Sequence, residues 1–307
     1  MEFVPDRVAF GRHESFPLRF GWLTKGFQAF QKDPNIFAKD EAIIELGVGR
    51  NMVHAIRYWL RATGMLGMKA NQLSTTDLGE RLFSAESGWD PYLEDEATIW
   101  LLHWQLASYP QEATTFFWFF NRFHRTEFAA AEATTALLDF AMENITTRSS
   151  TATLKKDVAV ILRMYVQTVD KGKAIVDEAL DSPLSLLKLI TYSPATKIYF
   201  SRYEDHRDVP LGIFGYAIAE LFSNYGASEI PIEELMYSKD GRVAPGSIFR
   251  LSEQGLLTRL EQLVNYLPGV FEIRESAGIH QLYKLEDVKS FEYLEEHYKA
   301  WTQGKAT

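Results

Sequence analysis

One stretch of the sequence, LGVGRNMVHAIRYWLRATGML at residues 46–66, spaces its basic side chains in a way that could bind a phosphate backbone. Successive members of this basic set are separated by four, three and four residues, so at ~3.6 residues per turn they fall on one face of an α-helix. The set is Arg50, His54, Arg57 and Arg61. The residues expected to be buried on the opposite side are Met52, Val53, Ile56, Trp59 and Leu60.

Two interpretations of this basic face compete. Surface helices often carry arginines on their solvent side, and for an isolated stripe this is the usual explanation. Here the stripe starts at a glycine turn, where the free N–H groups of a helix N-terminus favour an anion. The face would extend about 16 Å at ~1.5 Å per residue, close to five base-pair steps at ~3.4 Å each. The predicted DNA contacts are therefore Arg50, Asn51, His54, Arg57 and Arg61, with Arg12, Arg19 and Lys25 as a second basic patch.

Two further groups have side chains suited to cleaving a phosphodiester. His13 and Glu14, in the segment FGRHES, are the predicted catalytic residues if the protein cuts DNA. Asp90, Glu94 and Asp95 are the predicted ligands of Mg²⁺, an ion that needs only one or two protein carboxylates. The alternative for this acidic group is a first helical turn stabilised by the helix dipole, which is the more common role of such residues.

No nuclease or phosphate-loop motif supports cleavage. The LGVGRN segment is not followed by Gly-Lys-Ser/Thr, so it is interpreted as a turn. The sequence also lacks a His-Asn-His arrangement, an acidic pair followed by Glu-x-Lys, and a serine nucleophile elbow. The sequence therefore does not indicate how DNA would be cut.

The elements that must position the basic face follow the order of a winged helix-turn-helix. Hydrophobic periodicity and glycine breaks predict helices near residues 22–31, 39–46, 51–63 and 77–83. Two short extended pieces, ending at Thr75, precede the last of them. Helix, tight turn, helix, hairpin and helix form a DNA-binding motif, so residues 1–88 are predicted to be a winged-helix-like DNA-binding module.

The rest of the chain divides into two further predicted parts. Apolar residues at intervals of three and four predict helices from residue 89 to about 189, within a helical middle domain over 89–209. Residues 210–307 are predicted to hold a second winged-helix-like module. In it, GSIFRLSEQGLLTRLEQLVNYL is one long helix, and FEIRE and IHQLYKL form a hairpin with a glycine turn. The predicted fold is mostly α, a helix bundle with winged helix-turn-helix-like modules at both ends and short β-hairpins.

Composition excludes several classes of protein. The 307 residues are 46% hydrophobic and 24% charged, as in a globular protein. The absence of Cys excludes disulfides, thiolate zinc sites and a Cys nucleophile, and fits a reducing cytoplasm. No apolar run spans a membrane and no secretion signal is evident, so we expect a cytoplasmic protein without a membrane partner. The net charge of −9 opposes non-specific DNA coating, but a local basic face still acts because charges are screened beyond ~8 Å.

Several blocks of the sequence resemble a bacterial family. RHESFPLRFGWLTKGF, LGVGRNMVHAIRYWL, GWDPYLEDEATIWLLHWQL and ATTFFWFFN, within roughly residues 10–125, are similar to segments of the SspB-like B subunits of single-strand DNA phosphorothioation systems, a domain-of-unknown-function family. The resemblance implies a subunit that acts on DNA, with nicking activity, alongside a cysteine desulfurase, a sulfur-transfer enzyme and an ATPase. It implies no residue-level cleavage motif.

Residues and resemblance together predict a DNA-binding subunit of a bacterial phosphorothioate modification and anti-phage defence system. Its expected partners are double-stranded DNA, the sulfur-transfer enzyme and the ATPase, and Mg²⁺ is the expected cofactor if it nicks DNA. The alternative is a non-catalytic winged-helix adaptor or transcription regulator. The acidic total and the missing nuclease motif favour this alternative, whereas the family resemblance favours the modification role.

Overall fold

The N-terminal region of the computed structural model contains three α-helices and a short 3-10 helix, followed by a β-hairpin and a fourth α-helix. The structure describes residues 1–167, 182–205, 208–276, 279–287 and 289–305. The first elements are α1 (Trp22–Lys32), a 3-10 helix (Ile36–Ala38), α2 (Glu41–Leu46), α3 (Arg50–Ala62), β1 (Leu66–Lys69), β2 (Gln72–Thr75) and α4 (Asp77–Phe83). Each predicted helix of this region is present, with ends shifted by no more than a few residues, as expected for helix termini.

Local sequence accounts for the breaks between these elements. Gly47 ends α2 in the left-handed conformation, with φ 65°. Ala70 and Asn71 both have positive φ and form the two-residue turn between β1 and β2, which is the geometry that suits the right-handed twist of a hairpin. The Thr76 hydroxyl accepts the Gly79 N–H and caps α4.

The middle of the chain is helical but includes a small sheet. Its elements are α5 (Glu96–Ser108), α6 (Thr114–Asn121), β3 (Glu127–Phe128), α7 (Ala130–Asn144), α8 (Thr151–Tyr165), a 3-10 helix (Pro183–Leu187), β4 (Thr191–Ser193) and β5 (Ile198–Phe200). The three strands are antiparallel in the order β3-β5-β4. The helical stretch predicted to about residue 189 ends at Leu187 in a 3-10 helix, because Lys188 is left-handed, with φ 52°, and directs the chain into β4. Residues 168–181 of the predicted helical middle lie outside the described residues.

The C-terminal third surrounds a second three-stranded sheet. Its elements are α9 (Leu211–Tyr225), β6 (Glu229–Pro231), α10 (Ile232–Met236), α11 (Pro245–Ile248), α12 (Glu253–Tyr266), β7 (Phe271–Ser276), β8 (Ile279–Lys284) and α13 (Ser290–Lys305). The predicted pairing of the last two strands is confirmed, and β6 adds to β8 on the other side. The turn residues 277–278 lie outside the described residues.

The single long helix predicted over residues 246–267 is wrong. It is split into α11 and α12 at Arg250, which has a left-handed φ of 52° and a fully buried side chain. The Ser252 hydroxyl then accepts the Gly255 N–H and starts α12. The Arg250 guanidinium donates several hydrogen bonds inside the protein, and these contacts outweigh the local preference for a continuous helix.

One hydrophobic cluster joins all of these regions. Its buried members run from Leu18 to Tyr298, and the aromatic segment of α6 lies fully inside it. The mostly α prediction is confirmed, whereas the division at residues 88 and 209 stays a prediction. Among the described residues, no helix combines the length and apolar character needed to cross a membrane.

Candidate nucleic-acid interface

The α3 helix separates an apolar face from a charged one, as its sequence predicts. The buried residues are Val53, Ala55, Ile56, Trp59, Leu60 and Ala62. Gly26 on α1 lies close to this face, since a Cβ there would be 2.5 Å from Ile56 Cγ2. The close packing of α1 against α3 turns Arg50, Asn51, His54 and Arg57 to the exterior, where all four are exposed.

Acidic residues bind the two ends of the predicted stripe. Arg50 Nη2 lies 2.6 Å from Asp40 Oδ1, in a pair whose side chains are both mostly exposed. Such a pair contributes little and can exchange for a phosphate. Arg61 Nη2 donates to both carboxylate oxygens of Glu112, at 2.8 and 3.0 Å, and is only 28% exposed. Arg61 is therefore held by the protein, and the freely available part of the stripe is shorter than predicted.

The middle of the stripe is available to a ligand. Asn51, His54 and Arg57 are exposed, and within the described ranges no side-chain hydrogen bond or salt bridge engages them. Gly49 provides no side-chain cap at the start of α3, and among the described residues no hydrogen bond engages the N–H groups of Arg50 and Asn51. These features leave a donor-rich surface at the N-terminal half of a well-formed helix.

His13 has a structural role between α3 and α8. Its side chain is 3% exposed and stacks on Trp59, with ring centroids 5.9 Å apart and an interplanar angle of 10°. His13 Nδ1 accepts the Ser15 N–H at 3.0 Å, so Nε2 carries the proton that it donates to Asp157 Oδ1 at 2.9 Å. Because both ring nitrogens are occupied, this geometry does not support the predicted catalytic role of His13.

The partner carboxylate completes this structural network. Asp157 also accepts the Gly11 N–H and the Thr115 hydroxyl, each at 2.9 Å. The network fixes the loop over residues 11–16 against α6 and α8. Glu14, the second predicted catalytic residue, is exposed on this loop with a left-handed φ of 50°.

The loop brings Arg12 to the side of α3. Burial raises the pKa of the Tyr58 hydroxyl, Asp157 and Glu112 add to the effect, and Arg12 and Arg61 oppose it. Both guanidiniums therefore lie near this ring, which belongs to α3, and Arg12 is exposed. The other two members of the predicted second patch are on or beside α1: Arg19 lies 5.5 Å from the Trp22 ring centroid, and Lys25 is exposed.

The predicted metal ligands are engaged in local capping. Asp90 is 1% exposed and accepts three hydrogen bonds, from the Glu94 N–H at 2.8 Å, the Asp95 N–H at 3.1 Å and the Thr98 hydroxyl at 2.6 Å. Asp95 caps α5 through the Ala97 N–H and lies 2.8 Å from His297 Nε2. Glu94 is exposed.

These contacts do not fit a magnesium site. Three donors already use both Asp90 oxygens and the side chain is buried, so its carboxylate serves the start of α5 and is closed to a hydrated cation. In the part of the chain that the structure describes, no group of three or more His, Asp or Glu side chains could hold a metal ion. The alternative interpretation, an acidic helix start, accounts for the observed contacts.

Long-range partners could not have been found by spacing. Glu112 lies 51 residues from Arg61 along the chain, and Asp157 lies 144 residues from His13. Lys69, exposed at the end of β1, is a further cation on the hairpin that follows α3. The sequence predicted this hairpin, so Lys69 could have been included among the predicted DNA contacts.

Comparison with known proteins extends over nearly the whole chain. Residues 10–298 match the model of a family described as a protein of unknown function, DUF4007. A crystal structure of SspB is 28% identical, with a TM-score of 0.81, and covers 95% of this chain and 88% of that chain. A crystal structure of magnesium ion-bound SspB is 27% identical, with a TM-score of 0.82 and the same coverage. A comparison with curated protein sequences found no match.

Proposed function

Because the chain belongs to the DUF4007 family and is similar to SspB along 95% of its length, we propose that it is a DNA-binding subunit of a bacterial DNA phosphorothioate modification and defence system. In this role it binds duplex DNA and presents it to the sulfur-transfer enzyme and the ATPase of the system. The observation that carries the proposal is the exposed face of α3 formed by Asn51, His54 and Arg57, whose side chains have no hydrogen bond or ion pair with any residue that the structure describes.

We interpret the N-terminal region as a winged helix-turn-helix. In this interpretation α2 and α3 form the helix-turn-helix, α3 lies along the major groove, and the hairpin of β1 and β2 is the wing. Next to the turn of the hairpin, the end of β1 carries the exposed residues Met68 and Lys69. A second winged-helix-like module, built around α12 and the hairpin of β7 and β8, is proposed by the same order of elements.

Charge along the chain favours the N-terminal region as the DNA-facing part. Residues 1–88 contain eleven Lys and Arg against ten Asp and Glu, whereas residues 210–307 contain nine against fourteen. A polyanion is therefore repelled less by the first region than by the last. This asymmetry supports DNA contact by the first module and protein contact by the second.

The first prediction concerns Arg57. Arg57→Glu should weaken binding to a labelled duplex about tenfold and reduce the slope of log affinity against log salt by about 1, because one phosphate contact is replaced by a repulsion. Fluorescence anisotropy at several salt concentrations measures both quantities. Arg163→Glu is the matched control, since Arg163 is also exposed but lies near the end of α8. Parent-like binding by Arg57→Glu would remove the basis for the α3 interface.

Nicking is a separate part of the proposal. A magnesium-bound crystal structure of SspB supports Mg²⁺ as the cofactor, but Asp90, one of the predicted ligands, is buried and already accepts three hydrogen bonds. We therefore propose no cleavage step through that group. The occupied nitrogens of His13 favour the second candidate, a non-catalytic DNA-binding adaptor.

A supercoiled plasmid separates these two candidates. The purified protein is incubated with the plasmid in Mg²⁺ or in EDTA, and open circles are quantified. Mg²⁺-dependent open circles that follow the protein through a further column support the nicking subunit. Intact plasmid together with duplex binding supports the adaptor.

A further inference from the structure

The three-stranded sheet β3-β5-β4 borders a cavity that is separate from the proposed α3 interface. Its volume is about 300 Å³, at the lower end of the ~300–1,000 Å³ typical of ligand pockets, so it has room for one small ligand unit. Its walls come from the segment leading into β4, from β5 and from the residues after β5. The lining residues are Lys188, Leu189, Thr191, Phe200, Arg202 and Glu204.

Strand register explains why Phe200 faces this cavity. Phe200 pairs with Thr191 on one side and with Glu127 on the other, so these three side chains share one face of the sheet. The neighbouring Tyr199 points to the opposite face, where it stacks on the buried Phe128. The sheet is therefore anchored to the core by one face and leaves an aromatic ring on the other.

Arg202 adds a flat cationic layer over this ring. Its guanidinium carbon lies 4.9 Å from the Phe200 ring centroid, and its Nη2 lies 3.1 Å from Glu127 Oε1. The ring and the carboxylate together hold the guanidinium beside the cavity. Unpaired nucleobases stack on aromatic rings and on arginine planes of this kind.

The charges around the cavity distinguish between possible ligands. Lys188 is exposed, and within the described ranges its ammonium forms no salt bridge. With Arg202 it supplies two positive charges, against the two negative charges of Glu204 and of Glu127, which pairs with Arg202. A free phosphate would be repelled by the carboxylate. A nucleotide within a strand has only one negative charge per phosphodiester, and an amino group on its base can donate to a carboxylate.

We propose that this cavity binds one nucleotide of an unpaired DNA strand. The base stacks on the Arg202–Phe200 layer, the phosphodiester contacts Lys188, and Glu204 accepts the exocyclic amino group of a cytosine or an adenine. This site lies beyond the duplex interface proposed for α3 and shares no residue with it.

The test compares single-stranded and duplex DNA in the full-length protein. Lys188→Glu and the double variant Lys188→Glu/Arg202→Glu are measured by fluorescence anisotropy with a labelled deoxycytidine decamer and with a blunt duplex. Each variant should bind the decamer at least about fivefold more weakly, the lower limit for losing one stacked base or its phosphate contact. Duplex binding should change less than about twofold. Lys197→Glu, an exposed cation in the turn between β4 and β5, should bind both probes as the parent does.

Three outcomes would overturn the assignment. One is decamer binding by Lys188→Glu that equals that of the parent. Another is loss of decamer binding in Arg57→Glu but not in the cavity variants, since α3 would then bind both forms of DNA. The third is displacement of the decamer by cytidine monophosphate at equal concentration, which would indicate a free-nucleotide site. Lys188 is exposed and has no salt bridge among the described residues, so the single variant should fold. It therefore provides the test if the double variant does not fold.

Discussion

Individual polar side chains inside this molecule are held by several hydrogen bonds each. The Arg250 guanidinium donates to the Ser201 and Tyr203 hydroxyls and to the carbonyl of Phe119, at 2.8 to 3.0 Å. Asp157 and Asp90 each accept from at least three donors. A buried charge without such partners would destabilise the fold by several kcal/mol, so these residues serve the structure first.

Glu220 on α9 is a half-buried carboxylate whose ionisation should weaken folding. It accepts from Trp104 Nε1 at 3.2 Å and from the Tyr109 hydroxyl at 3.3 Å. Burial nevertheless raises its pKa above the ordinary value of 4.5, against the opposing effect of these donors. The folded state thus binds more protons than the unfolded state above about pH 4.5, and the stability contributed by this group is lost as the pH rises through the raised pKa.

The prediction at this scale is that Glu220→Gln flattens the pH dependence of stability. Urea unfolding at pH 4.5 and at pH 7.5 gives the free energy of unfolding at each pH. Between these values the variant should lose less stability than the parent, since the glutamine does not ionise. Glu143→Gln, an exposed glutamate on α7, should behave as the parent does. An identical pH profile for Glu220→Gln and the parent would contradict the prediction.

At the scale of elements, glycines set how closely helices approach. A Cβ at Gly212 would lie 2.5 Å from the Cβ of His297, and one at Gly215 would overlap the ring of Tyr293. Both contacts join α9 to α13, and Tyr293 is fully buried, so its ring has no space to move. The two glycines of α9 therefore allow α13 to pack directly against the α9 backbone.

We expect Gly215→Ala to lower the free energy of unfolding by about 1–2 kcal/mol. Overpacking typically costs ~1–3 kcal/mol, and the better helix propensity of Ala returns up to ~1 kcal/mol of it. The control is Gly304→Ala on α13, where a Cβ meets no atom within 4 Å and stability should stay level or rise slightly. Chemical denaturation of both variants measures the difference. Equal stabilities would show that α9 and α13 adjust freely.

At the scale of the whole molecule, the C-terminal helix α13 contacts two earlier regions of the chain. Arg81 of α4 forms an ion pair with Glu295 of α13, and Trp89 stacks on Tyr298 at 4.9 Å. Tyr298 also shares a hydrogen bond of 2.8 Å with Thr98 of α5. The C-terminal helix thereby contacts both the N-terminal region and the helical middle.

This continuity predicts one cooperative unfolding transition. Tryptophan fluorescence and far-UV circular dichroism should give coincident urea curves, because the hydrophobic cluster crosses both predicted domain boundaries. Hydrogen exchange read by mass spectrometry would resolve any earlier opening of residues 1–88. An early transition confined to that region would instead indicate that the N-terminal module unfolds by itself.

The sequence determined features that depend on neighbours along the chain. The face of α3, the glycine turn before it and the hairpins after α3 and α12 follow from local periodicity and turn chemistry, and all are present. The mostly α fold and the family resemblance are confirmed. The winged-helix assignments and the domain boundaries stay predictions.

Only the tertiary structure decided which charged residues are available. Periodicity places Arg50, Arg57 and Arg61 on one face, but it contains no information about Glu112, which holds Arg61 from 51 residues away. The same applies to His13, whose partner Asp157 comes from α8, and to Arg250, whose burial interrupts a helix that its neighbours favour. Hydrogen bonds and burial are set by distances in space, and a folded chain brings together residues that no spacing in the sequence relates.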